Sequence, residues 1–170
     1  NPDLALASMG IYIFSTNVLV RRLSEDAKRN TAHDFGKNII PDMVDSGRVF
    51  AYNFKHGNRN DNVYWRDIGL LDAYWEANMD LVSNQPEFNL YDPTWPIRTH
   101  TPAYPPSRLH ICQKDSSRVV VAQGCIVENA QIENSILSPG VHIGPGSEIS
   151  DSVLMEGVHI GENVRLHKAI

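Results

Sequence analysis

The chain has 170 residues, 42% of them hydrophobic, enough for one core or a core and a half; 15 Lys and Arg stand against 20 Asp and Glu, a net charge of -5. With the two signs interspersed, this balance argues against a nucleic-acid surface and a polybasic membrane patch and points to a small-molecule ligand. Cys112 and Cys125 form no C-x-x-C pair, so neither a disulfide framework nor a zinc site is signalled and a reduced, cytoplasmic setting fits; no apolar run reaches membrane-spanning length and no signal peptide is visible.

The chain opens on Asn1-Pro2-Asp3 rather than Met and runs almost directly into an apolar segment, so a fragment or a processed chain is expected. That segment, Leu6 to Phe14, has the composition of a strand covered on both faces of an α/β sheet. Ser8 and Tyr12 interrupt it, and each either satisfies itself locally or serves a ligand. Thr16 or Asn17 then caps a short helix whose apolar face is Val18, Leu19 and Leu23, followed by a charged surface loop from Ser24 to Thr31. Phe35, Ile39, Ile40, Met43 and Val44 recur at helical spacing, with Pro41 breaking or restarting the helix and Asp34 at its start. Asp34 there either caps exposed amides or holds a sugar hydroxyl with Phe35 beside it. Gly47 ends the segment, Arg48 to Phe54 alternates as a strand, and Lys55 to Asn62 is a polar loop.

The stretch from Val63 to Trp75 places an acid and an aromatic at a strand-to-helix turn. Val63 to Trp65 has strand composition, Gly69 allows a sharp turn, and Leu70, Leu71, Tyr74, Trp75, Asn78, Leu81 and Val82 recur at helical spacing. An Asp two residues before a Gly is ordinary turn chemistry; Trp65 and Arg66 beside Asp67 make it a candidate site. From Ser83 to Pro106 periodicity gives way to six prolines, an extended connector that Tyr91, Trp95 and Ile97 are expected to pin down, with Arg108 to Ile111 as a short strand beyond it.

The C-terminal stretch repeats every 17 residues: Ile126, Ile143 and Ile160; Ile132, Ile149 and Leu166; Ile136, Val153 and Ile170; Ser135 and Ser152. Within each unit the aliphatics Ile126, Ile132 and Leu137, then Ile143, Ile149 and Leu154, are expected to point inward, one per short face, in a parallel β-helix of hexapeptide repeats. His142 and His159 are in register, and hexapeptide-repeat acyltransferases resemble this stretch and use a histidine as base; a repeat also replicates outward, solvated histidines.

Several motifs now stand in one order: Leu6-Ala7-Ser8-Met9-Gly10-Ile11-Tyr12, His33-Asp34-Phe35-Gly36-Lys37 with Ile40-Pro41, Tyr64-Trp65-Arg66-Asp67-Ile68-Gly69 with Ala73 to Asn78, and Trp95-Pro96-Ile97-Arg98-Thr99. In that order they resemble bacterial ADP-glucose pyrophosphorylase, also called glucose-1-phosphate adenylyltransferase, over nearly the whole chain. The resemblance implies an α/β fold, the C-terminal half of a Rossmann-like, mixed-sheet nucleotidyltransferase domain followed by a left-handed parallel β-helix. Residues 1–100, with the connector from about 83, would be the sugar-phosphate-binding part, 101–118 a linker and 119–170 a truncated β-helix. It also implies the reaction of ATP with glucose 1-phosphate to give ADP-glucose and pyrophosphate in glycogen biosynthesis, a cytoplasmic homotetramer, and effector sites. Ser8, Tyr12, Asp34, Phe35 and Trp65 match positions lining the glucose 1-phosphate pocket, and Asp67 matches one of two aspartates that hold the catalytic Mg²⁺. Mg²⁺ prefers one or two carboxylates plus substrate oxygens, which suits Asp67 sharing the ion with an acid outside this chain.

The family's glycine-rich ATP loop, second metal aspartate and phosphate-binding lysine have no counterpart here, so the chain alone is expected not to catalyse. Where the family usually has a capping threonine, this chain has Leu70, so a weaker helix start is expected. Two rivals accompany this reading: a nucleotidyltransferase for another sugar 1-phosphate, and a hexapeptide acyltransferase that would bind coenzyme A and need His142 or His159.

Overall fold

A computed structural model describes residues 7–45, 47–54, 64–100, 102–112 and 118–170, which fall into two compact units, Asn1–Val63 and Tyr64–Ile170. Leu6, Val63 and the polar loop 55–62, named above, lie outside the described residues.

In the first unit the apolar opening is not a strand. Gly10 adopts a left-handed φ of 72°, which breaks the extended run, and its N–H donates to Ser8 Oγ at 3.2 Å. Ile13 is 99% exposed, and no described residue offers a ladder partner for its backbone. Arg48 to Phe54 likewise forms no ladder, with Phe50 and Tyr52 exposed, because strand composition yields a sheet only where a second strand takes the backbone hydrogen bonds.

The expected first helix forms as α1, Thr16–Asp26, but it begins after Ser15, which makes no side-chain cap bond, and extends into the segment expected to be loop. Its last residue, Asp26, is buried. The second expected helix divides in two. A π-helical turn, Phe35–Ile39, opens it, and α2, Ile40–Val44, continues with Pro41 in its first turn, where the missing N–H leaves no bond unmade. Ile39 and Met43 carry this unit's buried apolar face.

In the second unit α3 spans Leu71–Leu81. Leu70 occupies its N-cap without a side-chain bond, as expected of a residue with no oxygen to offer. Tyr91, Trp95 and Ile97 in the connector are each more than half exposed, so they do not pin it by burial.

The rest of this unit is the β-solenoid, about three turns long. It comprises β1 (Arg108–Ile111), β2 (Val119–Val121), β3 (Ile126–Glu133), β4 (Ser135–Leu137), β5 (His142–Ile143), β6 (Glu148–Ser150), β7 (Val153–Leu154), β8 (His159–Ile160) and β9 (Arg165–His167). All pairings are parallel: β1 with β3, β3 with β5 and β6, β5 with β8, β6 with β9, and β2 with β4 with β7. Ile132, Leu137, Ile143, Ile149 and Leu154 fill its interior, each burial contributing roughly 1.5 to 3 kcal/mol.

One inward residue differs from the 17-residue count. Val127, not Ile126, pairs with Ile143 and is fully buried, while Ile126 pairs with His142 and is 39% exposed. The corner before Ile132 is one residue shorter than the corner before Ile149, with Asn129 at a φ of 52°, and a one-residue offset exchanges the two faces of a strand.

The buried serines are the solenoid's polar ladder. Ser135 Oγ donates to Glu133 O at 2.7 Å and accepts Ser152 N–H at 3.1 Å; Ser152 Oγ donates to Ser150 O at 2.6 Å and accepts Ala169 N–H at 3.1 Å. Each hydroxyl thus takes up one backbone donor of the next coil and gives a second bond to a carbonyl that already accepts a backbone N–H.

Candidate functional site

Four candidate residues come together in the first unit. The turn at Gly10 brings Ser8 Oγ to 2.9 Å from the Tyr12 hydroxyl, and the Tyr12 ring stacks on Phe35 with centroids 5.9 Å apart. Phe14 packs on both rings, at 6.3 Å from Tyr12 and 5.9 Å from Phe35. Gly36 is the floor of the group: a Cβ there would lie 3.4 Å from Asp34 Oδ1 and 3.7 Å from the Tyr12 hydroxyl, so a side chain would fill the space between an acid and a phenol. Two hydroxyls, an exposed carboxylate and two aromatic faces are what a hexose binds to, through its hydroxyls and its apolar ring face respectively.

Asp34 meets the capping reading. Its Oδ1 accepts the N–H of Lys37 at 2.8 Å, capping the π-helical turn, while its own N–H donates to Asn38 Oδ1 at 3.2 Å. One carboxylate oxygen is spent on the cap and the other makes no hydrogen bond among the described residues.

Behind Asp34 is a support formed in part by the segment Ser24 to Thr31, which the sequence shows only as a charged surface loop. His33 takes a left-handed φ of 54°, and its Nδ1 lies 2.7 Å from the buried Asp26 Oδ2. Thr31 Oγ1 donates to Asp26 Oδ1 at 2.9 Å and accepts the His33 N–H at 3.2 Å. These bonds, that from His33 first, hold the Asp26 carboxyl below its usual range. Asp26 would otherwise be a buried anion at the unfavourable C-terminal end of α1. Only the fold signals this: nothing in the spacing of Asp26, Thr31 and His33 marks them as one network.

In the second unit Asp67 is exposed and sits in an Asx turn, with Oδ1 accepting the Gly69 N–H at 3.1 Å; the other oxygen makes no hydrogen bond among the described residues. Trp65 is 49% exposed. The residues alternating with them, Tyr64 and Arg66, both donate to Asp80 Oδ2 on α3, at 3.1 and 2.8 Å. Burial first, then the bond to Asp80, raises the Tyr64 hydroxyl above its usual range, and Asp80 raises Arg66.

Among the described residues no three His, Cys, Asp or Glu groups are arranged to hold a metal ion. A solitary exposed carboxylate such as Asp67 would hold Mg²⁺ only together with oxygens from elsewhere, as that ion's hydrated octahedral coordination allows. His142 and His159 pair in register on the solenoid surface with ring centroids 5.5 Å apart, and His142 Nε2 lies 3.8 Å from Glu128 Oε2. Cys112 and Cys125 are both free thiols, and among the described residues no helix is long and apolar enough to cross a membrane.

Comparison with known proteins matches the chain in two parts. Residues 1–84 match the nucleotidyl transferase family and residues 105–170 the GlmU-like, C-terminal hexapeptide family. Similar relatives include the glucose-1-phosphate adenylyltransferases of Koribacter versatilis, 44% identical over 175 residues, and Acetivibrio thermocellus, 47% identical over 174 residues. That of Rhodopirellula baltica is 43% identical over 178 residues. Each alignment covers 100% of this chain but only 42%, 38% and 40% of the relative, so the chain spans about two fifths of the length of these proteins.

Proposed function

Because this chain is homologous along its whole length to glucose-1-phosphate adenylyltransferases, we propose that it is the sugar-phosphate-binding part of such an enzyme, together with part of its β-solenoid. The reaction joins ATP and glucose 1-phosphate into ADP-glucose and pyrophosphate, in glycogen biosynthesis in the cytoplasm. The observation that carries this reading is the meeting of Ser8, Tyr12, Asp34 and Phe35 around Gly36, four residues from two separate motifs.

In this reading the hydroxyls of Ser8 and Tyr12 and the free oxygen of Asp34 hold the hexose hydroxyls, and Phe35 covers an apolar face of the ring. Trp65, in the second unit, is the further aromatic that the resemblance assigns to the same ligand. Asp67, with an acid and phosphate oxygens from outside this chain, holds Mg²⁺, which when bound neutralises the phosphates that must approach one another. A phosphate oxygen of glucose 1-phosphate attacks the α-phosphorus of ATP and pyrophosphate leaves, so the chain's own contribution is to bind and orient the sugar phosphate rather than to make a covalent bond to it. No glycine-rich cluster occurs in the sequence, so in this reading ATP is held by residues outside this chain, and the chain alone should make no ADP-glucose. The homotetramer and the assignment of residues 1–100 to the sugar-phosphate-binding part belong to the same proposal, with the solenoid taken from Arg108–Ile111 onward rather than from 119, because that strand pairs with β3.

The test is a titration of the ¹⁵N-labelled chain with glucose 1-phosphate, following the Ser8, Gly36 and Trp65 N–H signals. Saturable shifts at all three, weakened by Asp34→Ala, are expected; shifts scattered over the solenoid, or none, would overturn the assignment. Mn²⁺ in place of Mg²⁺ should broaden the Asp67 and Gly69 amides, and Asp67→Asn should prevent it.

A further inference from the structure

The segment from Tyr64 to Asp67 is irregular, yet one carboxylate oxygen fixes it. Tyr64 and Arg66, two residues apart, both donate to Asp80 Oδ2. Trp65 and Asp67 alternate with them along the chain and make no hydrogen bond to Asp80 among the described residues; Trp65 is half exposed and Asp67 keeps one oxygen free of hydrogen bonds among the described residues.

The anchor is itself anchored. Asp80 stands in the last turn of α3, and that helix is docked on the solenoid of the same unit. Trp75 Nε1 donates to Asp151 O at 2.7 Å, and Lys168 Nζ lies 4.6 Å from the Trp75 ring centroid. An isolated exposed ion pair between Arg66 and Asp80 would hold little. Here the acceptor oxygen is shared with the half-buried Tyr64, so the two donors cannot both leave without exposing a phenol from its packing against Phe88, 5.5 Å away.

We propose that Asp80 is a positioning residue for sugar-phosphate binding: its carboxylate holds Tyr64 and Arg66 against α3, so that the Trp65 indole and the Asp67 carboxylate are presented together. The inference rests on the proposal above that Trp65 and Asp67 serve a glucose 1-phosphate site. Asp80 touches neither substrate nor metal in this scheme and acts through the two residues that flank Trp65.

The experiment uses the indole N–H signals of the ¹⁵N-labelled chain, the Trp65 signal assigned by Trp65→Phe. Without ligand, Asp80→Ala should lower the heteronuclear NOE of the Trp65 indole and leave the Trp75 indole, held by Asp151, where it is. With glucose 1-phosphate, Asp80→Ala should weaken the Trp65 titration about tenfold, as loss of an outer-shell partner commonly does, and Asp80→Glu should restore part of it. If Asp80→Ala also displaces the Trp75 signal, the double variant Tyr64→Phe, Arg66→Met removes both donors from the other end and takes the same readout. Unchanged Trp65 order and affinity in the variant with an intact Trp75 signal would overturn the inference alone. A wild-type Trp65 signal that ignores glucose 1-phosphate would overturn the underlying site reading, and the inference with it.

Discussion

The solenoid and the two apolar segments of the first unit, at Leu6 to Phe14 and Arg48 to Phe54, all have strand composition, and they end in opposite states. Leu137, Ile143 and Ile149 are buried, while Ile11, Ile13, Phe50 and Tyr52 are mostly exposed. The difference lies in the distance to the partner. Each solenoid strand finds its neighbour one coil away, 17 or so residues along the chain, so its backbone bonds and its apolar face are closed by sequence-local contacts. The opening segments have no ladder partner among the described residues, and one of them turns on Gly10 instead. Apolar composition marks a segment that can be covered; it does not supply the cover.

Mutation should break this contrast most visibly in the solenoid. Ile143→Ala removes a fully buried side chain at the centre of a coil and should cost about 2 to 5 kcal/mol, read as a lower thermal midpoint by circular dichroism. A shift no larger than that of a surface variant would mean that the coils do not share one packed core.

The next effect sharpens the comparison from the other side, because the first unit's best-defined polar tie is the Asp26, Thr31 and His33 network. The folded carboxyl of Asp26 lies below its ordinary 3.8, so the unfolded chain binds the proton more readily. Its stabilising contribution is therefore present above pH 3.8 and is lost as the pH falls through the lower folded value. Acid unfolding of Asp26→Asn should accordingly show a shallower dependence in that range than the wild type, and identical acid titration curves would remove the network from the account of the first unit. Smallest of all should be Phe50→Ser, at a residue 84% exposed, where the thermal midpoint should correspond to a change within about 0.5 kcal/mol. A large loss there would show that the exposed segment is covered in solution.

Much of this was legible in the residues. The serine and aliphatic repeat is a local pattern, so its period could be counted, and the helices at Thr16–Asp26 and Leu71–Leu81 follow from apolar spacing. Pro41 as a point where a helix restarts, and Asp34 as a cap, follow from side-chain chemistry acting on adjacent amides. Ile126 was misplaced by the same counting, because a corner one residue shorter moves a strand to its other face without disturbing the aliphatic register in the sequence. The strands expected at Leu6 to Phe14 and Arg48 to Phe54 rest on composition, which carries no information about a partner.

What the sequence determined by itself is whatever depends on neighbours within about one coil or one helical turn: the 17-residue repeat, the helices, the Asx turn at Asp67 and the order of motifs that places this chain beside the glucose-1-phosphate adenylyltransferases. Only the tertiary structure decided that Tyr12 stacks on Phe35, that His33 leans on a buried Asp26, and that Tyr64 and Arg66 share one oxygen of Asp80. Those contacts, 7 to 23 positions apart, each involve an irregular segment and recur at no period that the sequence could show. Which of the many possible distant pairs forms is fixed by how the chain closes its backbone bonds and buries its apolar faces, not by any spacing in the sequence.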